Sequence, residues 1–345
     1  MLAGQLIEPG RLEVRTVADP ARPPAAGMAI VRIGRAGVCG SDIHMFRHGR
    51  IGELVGVLPM TIGHEAMGVV EAVGEGGDEG LLGRRVAIEP TISCGACEFC
   101  LRGDPNLCPN YRFVGLPPHP GVMQQWLQHP ARLLEPLPES IDDEQAVMLE
   151  PLAIALWAVD LGHVRMGASA AILGTGVLGG LVLMLLVRAG CSPIICTDLL
   201  ANRLGLAKEL GATHIIHAGK VDAADKIARL TDGRGMDVVF ECCGADQTNE
   251  QMVRVAAPGG RCVVIGINDD DRVSFGHGVA RRKGLTVAMV RRSRLTLRRA
   301  IDLVAQHGLP VERLVTHRFA LKDVHRAFDT VSRYADGVLK ALVQP

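Results

Sequence analysis

The hydrophobic pattern of the chain changes near residue 150. Residues 1 to about 150 carry short β-branched runs separated by glycine and proline, for example 29–33, 68–73 and 85–88. Such runs are typical of short strands joined by turns. From about 151 to 290, apolar runs alternate with glycine turns and with segments of helix length. Strands that alternate with helices predict a doubly wound parallel sheet.

The predicted elements of the middle segment are strands at 170–173, 193–197, 237–240 and 261–265, and helices at 177–189 and 202–210. The segment 291–345 ends in a strand-like run at 337–343, which we expect to return to the first domain. The chain is therefore predicted to be α/β. Residues 1–150, completed by 291–345, form a mainly β domain, and residues 151–290 form the doubly wound domain.

One stretch, 166–187, carries no charge and is flanked by Arg165 and Arg188. By length alone it could cross a bilayer. Four glycines interrupt it, at Gly174, Gly176, Gly179 and Gly180. A strand, a tight turn and a buried helix explain the stretch better, so we expect no membrane span.

Composition narrows the class of protein. Lys+Arg and Asp+Glu both total 37, and aromatic residues make up 3% of the 345 residues, which favours neither a nucleic-acid partner nor an anionic membrane surface. The N-terminus lacks a basic segment followed by an apolar run, so we expect a reducing, cytoplasmic environment. Cysteines in apolar stretches are then predicted to be buried and free, namely Cys191, Cys196, Cys242, Cys243 and Cys262.

Four further cysteines lie close together, with the spacing C-x2-C-x2-C-x7-C: Cys94, Cys97, Cys100 and Cys108. Four thiolates so spaced can close around one tetrahedral Zn²⁺. A site of this kind is usually structural. The alternative is a zinc-ribbon module that binds nucleic acid, and the zero net charge counts against it.

A glycine motif follows the predicted strand 170–173 and opens the helix after it, with Gly174, Gly176 and Gly179 in G-x-G-x-x-G spacing. Asp198 lies 19 residues after Gly179, at the end of the next predicted strand. This is the context of a dinucleotide fingerprint. The alternative is a purely structural glycine turn between a core strand and a core helix.

If the motif binds a dinucleotide, the glycines let the backbone approach the pyrophosphate, with Leu178 in the same turn. Asp198 would accept hydrogen bonds from the adenosine ribose and repel a 2′-phosphate, which favours NAD over NADP. Arg203 would flank the adenine side, and Gly266 would lie near the nicotinamide end.

A second set of candidate metal ligands lies outside the cysteine cluster. Cys39 precedes His64 and Glu65 by about two dozen residues. A thiolate, an imidazole and a carboxylate suit Zn²⁺, and three protein ligands leave one position open. Taken singly, each residue has a structural alternative. Cys39 could be a buried cysteine that packs in the core, His64 could be a core histidine, and Glu65 could be a surface charge.

An open zinc lowers the pKa of a bound hydroxyl group, which suits alcohol oxidation. Ser41 lies two residues after Cys39, close enough to take the hydroxyl proton. His44 could then pass that proton towards solvent.

Together these residues resemble the zinc-containing medium-chain dehydrogenase/reductases over nearly the whole chain. The most specific matches are 39–44, 48–52 and 59–66, with 150–155 and 315–319 in support. Within this family the chain is most similar to the sorbitol/xylitol (polyol) dehydrogenases. The resemblance implies a Rossmann cofactor domain and a GroES-like, partly open β-barrel catalytic domain formed by the N- and C-terminal segments. It also implies an active site in the cleft between domains and a homodimer or homotetramer.

The resemblance also implies residue roles. Cys39, His64 and Glu65 would hold a catalytic zinc, and Glu150 would bind the zinc, its water or a substrate hydroxyl. Cys94 to Cys108 would hold a structural zinc, giving two zinc ions and one NAD per subunit. Substrate contacts would come from Phe113, Glu150, Arg291 and Arg292, and Arg291 would also contact the cofactor.

The chain departs from the polyol pattern at two places. Met45 stands where these enzymes usually carry an aromatic residue, and Arg292 replaces the tyrosine of an Arg-Tyr pair. We expect oxidation of a secondary hydroxyl of a polyol or related sugar to a ketone with NAD. Sugar-acid, threonine-type and butanediol-type dehydrogenases are the alternatives.

Basic residues concentrate between 281 and 299 without an acidic residue among them. This stretch predicts a solvated face with an oligomer contact. The sharper hypothesis is that Arg292 or Arg294 binds an anionic substrate group, such as the carboxylate of a sugar acid.

Overall fold

The computed structural model describes residues 1–345, which divide into two compact units. The first unit contains Met1–Ala153 and Arg294–Pro345, and the second contains Ile154–Ser293. None of the helices combines the length and the apolar character that crossing a bilayer requires. The uncharged stretch 166–187 instead forms a strand and a helix, as predicted.

In chain order the strands are β1 (Leu2–Glu8), β2 (Arg11–Thr16), β3 (Met28–Gly37), β4 (Arg50–Ile51), β5 (Leu54–Val55), β6 (Met60–Thr61), β7 (Glu65–Val73), β8 (Arg85–Ile88), β9 (Thr91–Ile92), β10 (Arg112–Phe113), β11 (Trp126–Pro130), β12 (Leu134–Pro136), β13 (Ala170–Leu173), β14 (Ile194–Asp198), β15 (His214–His217), β16 (Met236–Glu241), β17 (Ala256–Val264), β18 (Thr286–Met289), β19 (Val315–Ala320) and β20 (Lys340–Gln344). The helices are α1 (Gly40–His48), α2 (Glu98–Leu101), α3 (Asp143–Val147), α4 (Leu149–Leu161), α5 (Val177–Arg188), α6 (Ala201–Glu209), α7 (Ala223–Leu230), α8 (Asp246–Val255), α9 (His277–Lys283), α10 (Leu297–His307) and α11 (Val324–Ser332).

The first unit is built on a seven-stranded sheet. Its order is β12-β8-β7-β3-β20-β19, and β11 also pairs with β3. The C-terminal strand β20 pairs antiparallel with β3, with Leu342 opposite Gly37. On the helical side, Phe46 of α1 packs against Phe328 of α11, with ring centroids 5.7 Å apart. The terminal segment therefore completes the sheet and core that support α1.

The second unit is a parallel sheet of six strands in the order β15-β14-β13-β16-β17-β18. All residues of β13 and β14 are buried, as expected for parallel strands that have helices on both faces. The strand order reverses between β13 and β16. In doubly wound sheets the carboxyl ends of the strands at such a point form the ligand site.

Two local expectations were wrong in the second unit. The strand predicted at 261–265 begins earlier, at Ala256, because the Pro258-Gly259-Gly260 run is absorbed as an irregularity in the pairing of β17 with β16. Cys242 and Cys243 were expected to be buried, but Cys242 is half-buried and Cys243 is exposed, because both lie in the loop after β16.

Candidate active site

Three potential metal ligands meet in the first unit, and we call them the three-ligand cluster: Cys39, His64 and Glu65. Their ligand atoms all lie within 4.8 Å of one another. Cys39 is the N-cap of α1, and His64 directly precedes β7. Glu65 opens β7 and pairs with Gly37 at the end of β3, two residues before Cys39. The β3–β7 ladder therefore brings the two sequence segments together.

Asp42 connects two members of this cluster and was missed by sequence reasoning. Its carboxylate accepts a hydrogen bond from the Cys39 N–H at 3.0 Å, and its Oδ1 lies 3.2 Å from His64 Nδ1. With Nδ1 held by a carboxylate, Nε2 is the nitrogen that can bind a metal. The sequence signal was an acid at the third helical position after the N-cap, as in a capping box.

The charges around His64 act in opposite directions. Burial by itself lowers the pKa of His64. Asp42 and the Cys39 sulfur outweigh burial and raise that pKa well above its ordinary value. The cluster therefore favours positive charge at its centre.

Lys340 is the second residue that sequence reasoning missed. Its ammonium group is buried, contacts Glu65 Oε2 closely and donates to the Val38 carbonyl at 3.1 Å. Burial lowers the pKa of Lys340, but Glu65, Cys39 and Glu150 together raise it. A carboxylate has two oxygens, so Glu65 can bind Lys340 with one and a metal with the other. The available signal was one charged residue within the apolar run 338–343.

Glu150 lies outside the three-ligand cluster but belongs to the same electrostatic group. It is 7% exposed, and its Oε2 has no hydrogen-bond partner. Burial raises the pKa of Glu150 to about 8, with Glu65 and Glu89 adding to the effect and His64 opposing it. A buried, unpartnered carboxylate oxygen requires a proton, a cation or a ligand. This donor set fits a zinc ion.

The other predicted catalytic and substrate residues of the first unit differ in burial. Ser41 and His44 lie on α1 and are half-buried. Phe113 is buried against His64, with ring centroids 5.2 Å apart. Met45, where the aromatic residue of the polyol pattern was expected, is 1% exposed and packs in the core.

The four clustered cysteines form a compact group in residues 94–108, here called the cysteine lobe. The Cys97 and Cys100 sulfurs are 3.5 Å apart, and those of Cys94 and Cys100 are 3.9 Å apart. Tetrahedral Zn²⁺ with Zn–S bonds of about 2.3 Å implies S–S edges of about 3.8 Å. All four sulfurs lie within 4.8 Å of one another, so the lobe also fits zinc.

Two thiols of the lobe differ in acidity. Backbone N–H groups of Ala96 and Cys97 lower the pKa of Cys94 to about 6. Desolvation and the neighbouring sulfurs raise the pKa of Cys100 to about 11. Four adjacent thiols resist simultaneous ionisation unless a cation is present.

Arg294 contacts the cysteine lobe. Its Nε lies 2.7 Å from Asp104 Oδ1 and donates to the Gly103 carbonyl at 3.0 Å. Its Nε is thus engaged by the lobe, and the hypothesis that Arg294 binds an anionic substrate group stays a prediction. Other members of the basic stretch are also paired: Lys283 donates to carbonyls at the end of α8, and Arg298 contacts Glu135 at 2.8 Å.

The glycine turn of the second unit has the geometry its motif predicts. Gly174 has φ of +92°, a conformation that favours glycine. A Cβ on Gly179 would lie 2.0 Å from the Gly174 carbonyl oxygen, so the helix start can approach the turn only without a side chain. Gly176 is the N-cap of α5, and Leu178 is half-buried in its first turn. The first N–H groups of α5 are thus available to an anion.

Asp198 ends β14 beside this turn. Its Oδ2 accepts from the Thr175 N–H at 2.8 Å, and its Oδ1 accepts from the Leu200 N–H at 2.9 Å. Arg203 Nη1 lies 3.9 Å from Oδ2.

The predicted residues of the nicotinamide end differ in exposure. Gly266 follows β17 and is half-buried. Arg291 is exposed, while Arg292 is half-buried with φ of +53°.

Comparisons with known proteins agree with this arrangement. Residues 25–139 match the alcohol dehydrogenase GroES-like domain, and residues 177–306 match the zinc-binding dehydrogenase model. Sorbitol dehydrogenase from Bacillus subtilis is 30% identical over 92% of this chain and 90% of its own length. L-idonate 5-dehydrogenase from Vitis vinifera is 34% identical over 89% and 86%, respectively. A Sinorhizobium meliloti crystal structure bound to NADP superposes with a TM-score of 0.90 at 32% identity, covering 100% of this chain and 99% of the other.

The buried Lys340–Glu65 pair makes a prediction about metal dependence. Lys340→Met leaves Glu65 buried without its cation, a change that typically costs about 3–5 kcal/mol. We expect the thermal unfolding midpoint of the chelator-treated variant to fall, and added zinc to restore most of the loss. Lys283→Met is the control, because Lys283 bonds to helix carbonyls and its effect should not depend on zinc. Equal destabilisation of Lys340→Met with and without zinc would contradict this assignment of Lys340.

The cysteine lobe makes a second prediction, which concerns stability. Cys100→Ala should release one zinc per chain and lower the thermal midpoint by about 5 °C or more, measured by metal analysis and circular dichroism. Cys191→Ala, which removes a buried thiol outside the lobe, should release none. If Cys100→Ala abolished catalysis while fold, assembly and the other zinc stayed intact, a purely structural role for the lobe would be wrong.

Proposed function

The chain belongs to the zinc-containing medium-chain dehydrogenase/reductases, in their polyol dehydrogenase branch, and from this premise we propose that it oxidises a secondary hydroxyl group of a polyol or related sugar to a ketone with NAD. The observation that carries the proposal is the three-ligand cluster, in which His64 and Glu65 are buried and Cys39 is half-buried, with the unpartnered Glu150 oxygen nearby. The glycine turn and Asp198 of the second unit support the cofactor, and the sorbitol dehydrogenase relative supports the substrate class.

The proposed chemistry divides among the residues of the first unit. Zinc bound at the cluster would act as a Lewis acid on the substrate hydroxyl, and the nicotinamide would accept the hydride. Cys39, His64 and Glu65 hold the metal. Asp42 fixes the orientation of His64, and Lys340 fixes that of Glu65.

Protons are handled by three other residues in this proposal. Glu150, whose pKa is raised by burial, can hold or release a proton beside the cluster. Ser41 takes the hydroxyl proton, and His44 passes it towards solvent. Phe113 lies against the His64 ring and gives the substrate pocket an apolar wall beside the metal.

Asp198 supports NAD as the preferred cofactor. It holds a negative charge between the Thr175 and Leu200 N–H groups, where the adenosine ribose of a dinucleotide binds in such folds. A 2′-phosphate there would meet a like charge. The NADP seen in the Sinorhizobium meliloti structure is a property of that protein.

We further propose a second, structural zinc in the cysteine lobe, a homodimer or homotetramer, and a reducing, cytoplasmic environment. The near-tetrahedral sulfur spacing supports the second zinc. None of the ten cysteines forms a disulfide, which agrees with the proposed reducing environment.

A sugar acid is the second candidate substrate. The L-idonate 5-dehydrogenase relative and the half-buried Arg292, which replaces the tyrosine of the polyol pattern, favour it. A guanidinium can bind a carboxylate with two parallel hydrogen bonds.

The test of the proposed function is a substrate panel. Polyols, the corresponding sugar acids, 2,3-butanediol and threonine are supplied with NAD, and NADH formation is followed; we expect a polyol to give the highest kcat/KM. Cys39→Ser should lower kcat/KM by about a thousandfold or more while the chain stays folded. This loss corresponds to a rise of about 4 kcal/mol in the activation free energy. A zinc-free, folded protein that kept its activity would show the mechanism to be wrong.

Cofactor choice gives a separate prediction. Asp198→Ala removes the charge that opposes a 2′-phosphate, so the ratio of kcat/KM for NAD to that for NADP should fall by about tenfold or more. Adding Arg203→Ala should remove any gain with NADP, because Arg203 is the cation beside this carboxylate. An unchanged ratio in Asp198→Ala would rule out Asp198 as the discriminating residue.

A further inference from the structure

A buried carboxylate that the proposed mechanism does not use lies at the carboxyl edge of the second unit's sheet. Glu241 is the last residue of β16 and is 0% exposed. In the sheet it lies between Leu173 of β13 and Val264 of β17. It therefore lies beside the reversal of strand order, where doubly wound folds bind their ligands.

The Glu241 side chain is surrounded by hydrogen-bond donors. Oε1 accepts from the Cys243 N–H at 2.8 Å, the Gly244 N–H at 3.0 Å and the Thr248 hydroxyl at 2.7 Å. Burial raises the pKa of Glu241, and these hydrogen bonds oppose the shift. Oε2 also accepts from the Gly244 N–H, at 3.2 Å. A carboxylate therefore accepts at both oxygens, whereas a side-chain amide that kept Oε1 in place would turn its N–H₂ towards the Gly244 N–H.

Three loops approach one another closely at this carboxylate, through backbone atoms and through the Cys243 sulfur. A Cβ on Gly266, after β17, would lie 2.0 Å from the Gly244 nitrogen and 2.6 Å from Glu241 Oε2. A Cβ on Gly244 would lie 2.2 Å from the Ile267 carbonyl oxygen. A Cβ on Gly174, in the dinucleotide turn, would lie 2.4 Å from the Cys243 sulfur. Any displacement of the loop after β16 is therefore transmitted to the loops on both sides.

From this geometry we propose that Glu241 is a positioning residue for the nicotinamide cofactor. Its carboxylate fixes residues 243–244 in the loop after β16, and that loop in turn fixes the Gly174 turn and the Gly266 loop. Glu241 itself is fully buried, so it acts through these loops. The inference rests on the proposed function in one respect, namely that the Gly174 turn binds a dinucleotide.

The same strand provides a matched control. Asp237 lies at the opposite, amino end of β16 and also accepts from a backbone N–H and a hydroxyl, those of Ser169, at 2.9 Å and 2.8 Å. It joins the same strand to its neighbours but lies away from the edge that carries the glycine loops. A general effect on the strand should appear in both variants, and an effect on cofactor positioning should appear only at Glu241.

The experiment compares Glu241→Gln with Asp237→Asn in the zinc-loaded protein. NADH binding is measured by fluorescence titration, and zinc content and thermal midpoint are measured on the same samples. We expect Glu241→Gln to raise the NADH Kd by about tenfold or more with unchanged zinc content, because the amide misplaces the loop after β16. The KM for the cofactor should rise more than kcat falls. Asp237→Asn should lose a similar amount of stability and bind NADH like the wild type.

The outcomes separate the two proposals. A wild-type protein that does not bind NADH would overturn the proposed function. Wild-type affinity in Glu241→Gln, or an equal loss in both variants, would overturn only the positioning role. If Glu241→Gln does not fold, Thr248→Val removes one donor from the carboxylate and should raise the NADH Kd by about two- to fivefold. An unchanged Kd in Thr248→Val would then overturn the inference.

Discussion

The buried contact between Lys340 and Glu65 joins residues 275 positions apart and determines how the first unit can fold. Both side chains are about 1% exposed, so neither charge can be left without the other. The two meet only if β20 pairs with β3 and β3 pairs with β7 in the observed registers. Gly37, where these pairings converge, must lack a side chain, because a Cβ there would lie 2.3 Å from Glu65 Oε2.

This contact connects fold and chemistry in the first unit. The strand that completes the sheet also carries the cation that holds a metal ligand in place. Asp42 does the same for His64 from the first turn of α1. Each ligand is therefore held by a partner from a regular element, so that a metal would find its donors already oriented.

The second unit relies on glycine loops rather than on a buried ion pair. Its binding edge needs backbone N–H groups close to a large anion, and glycines at Gly174, Gly179, Gly244 and Gly266 allow the loops to approach one another. Glycine alone would leave those loops loose, because it lacks side-chain contacts. Glu241 supplies the missing constraint from below the edge, as one acceptor that binds several donors at once.

Features that depend on short spacing were determined by the sequence itself. The four cysteines, the glycine motif with Asp198, and the alternation of strand and helix follow from residues close together in the chain, where geometry allows few alternatives. The predicted strand 85–88 and helix 177–189 agree with β8 and α5 to within one residue. Only the tertiary structure decided which buried polar groups meet. Lys340 reaches Glu65 and Glu241 reaches the loops around it because strand order and register place them there. A hydrophobic pattern does not specify the partner of a buried charge.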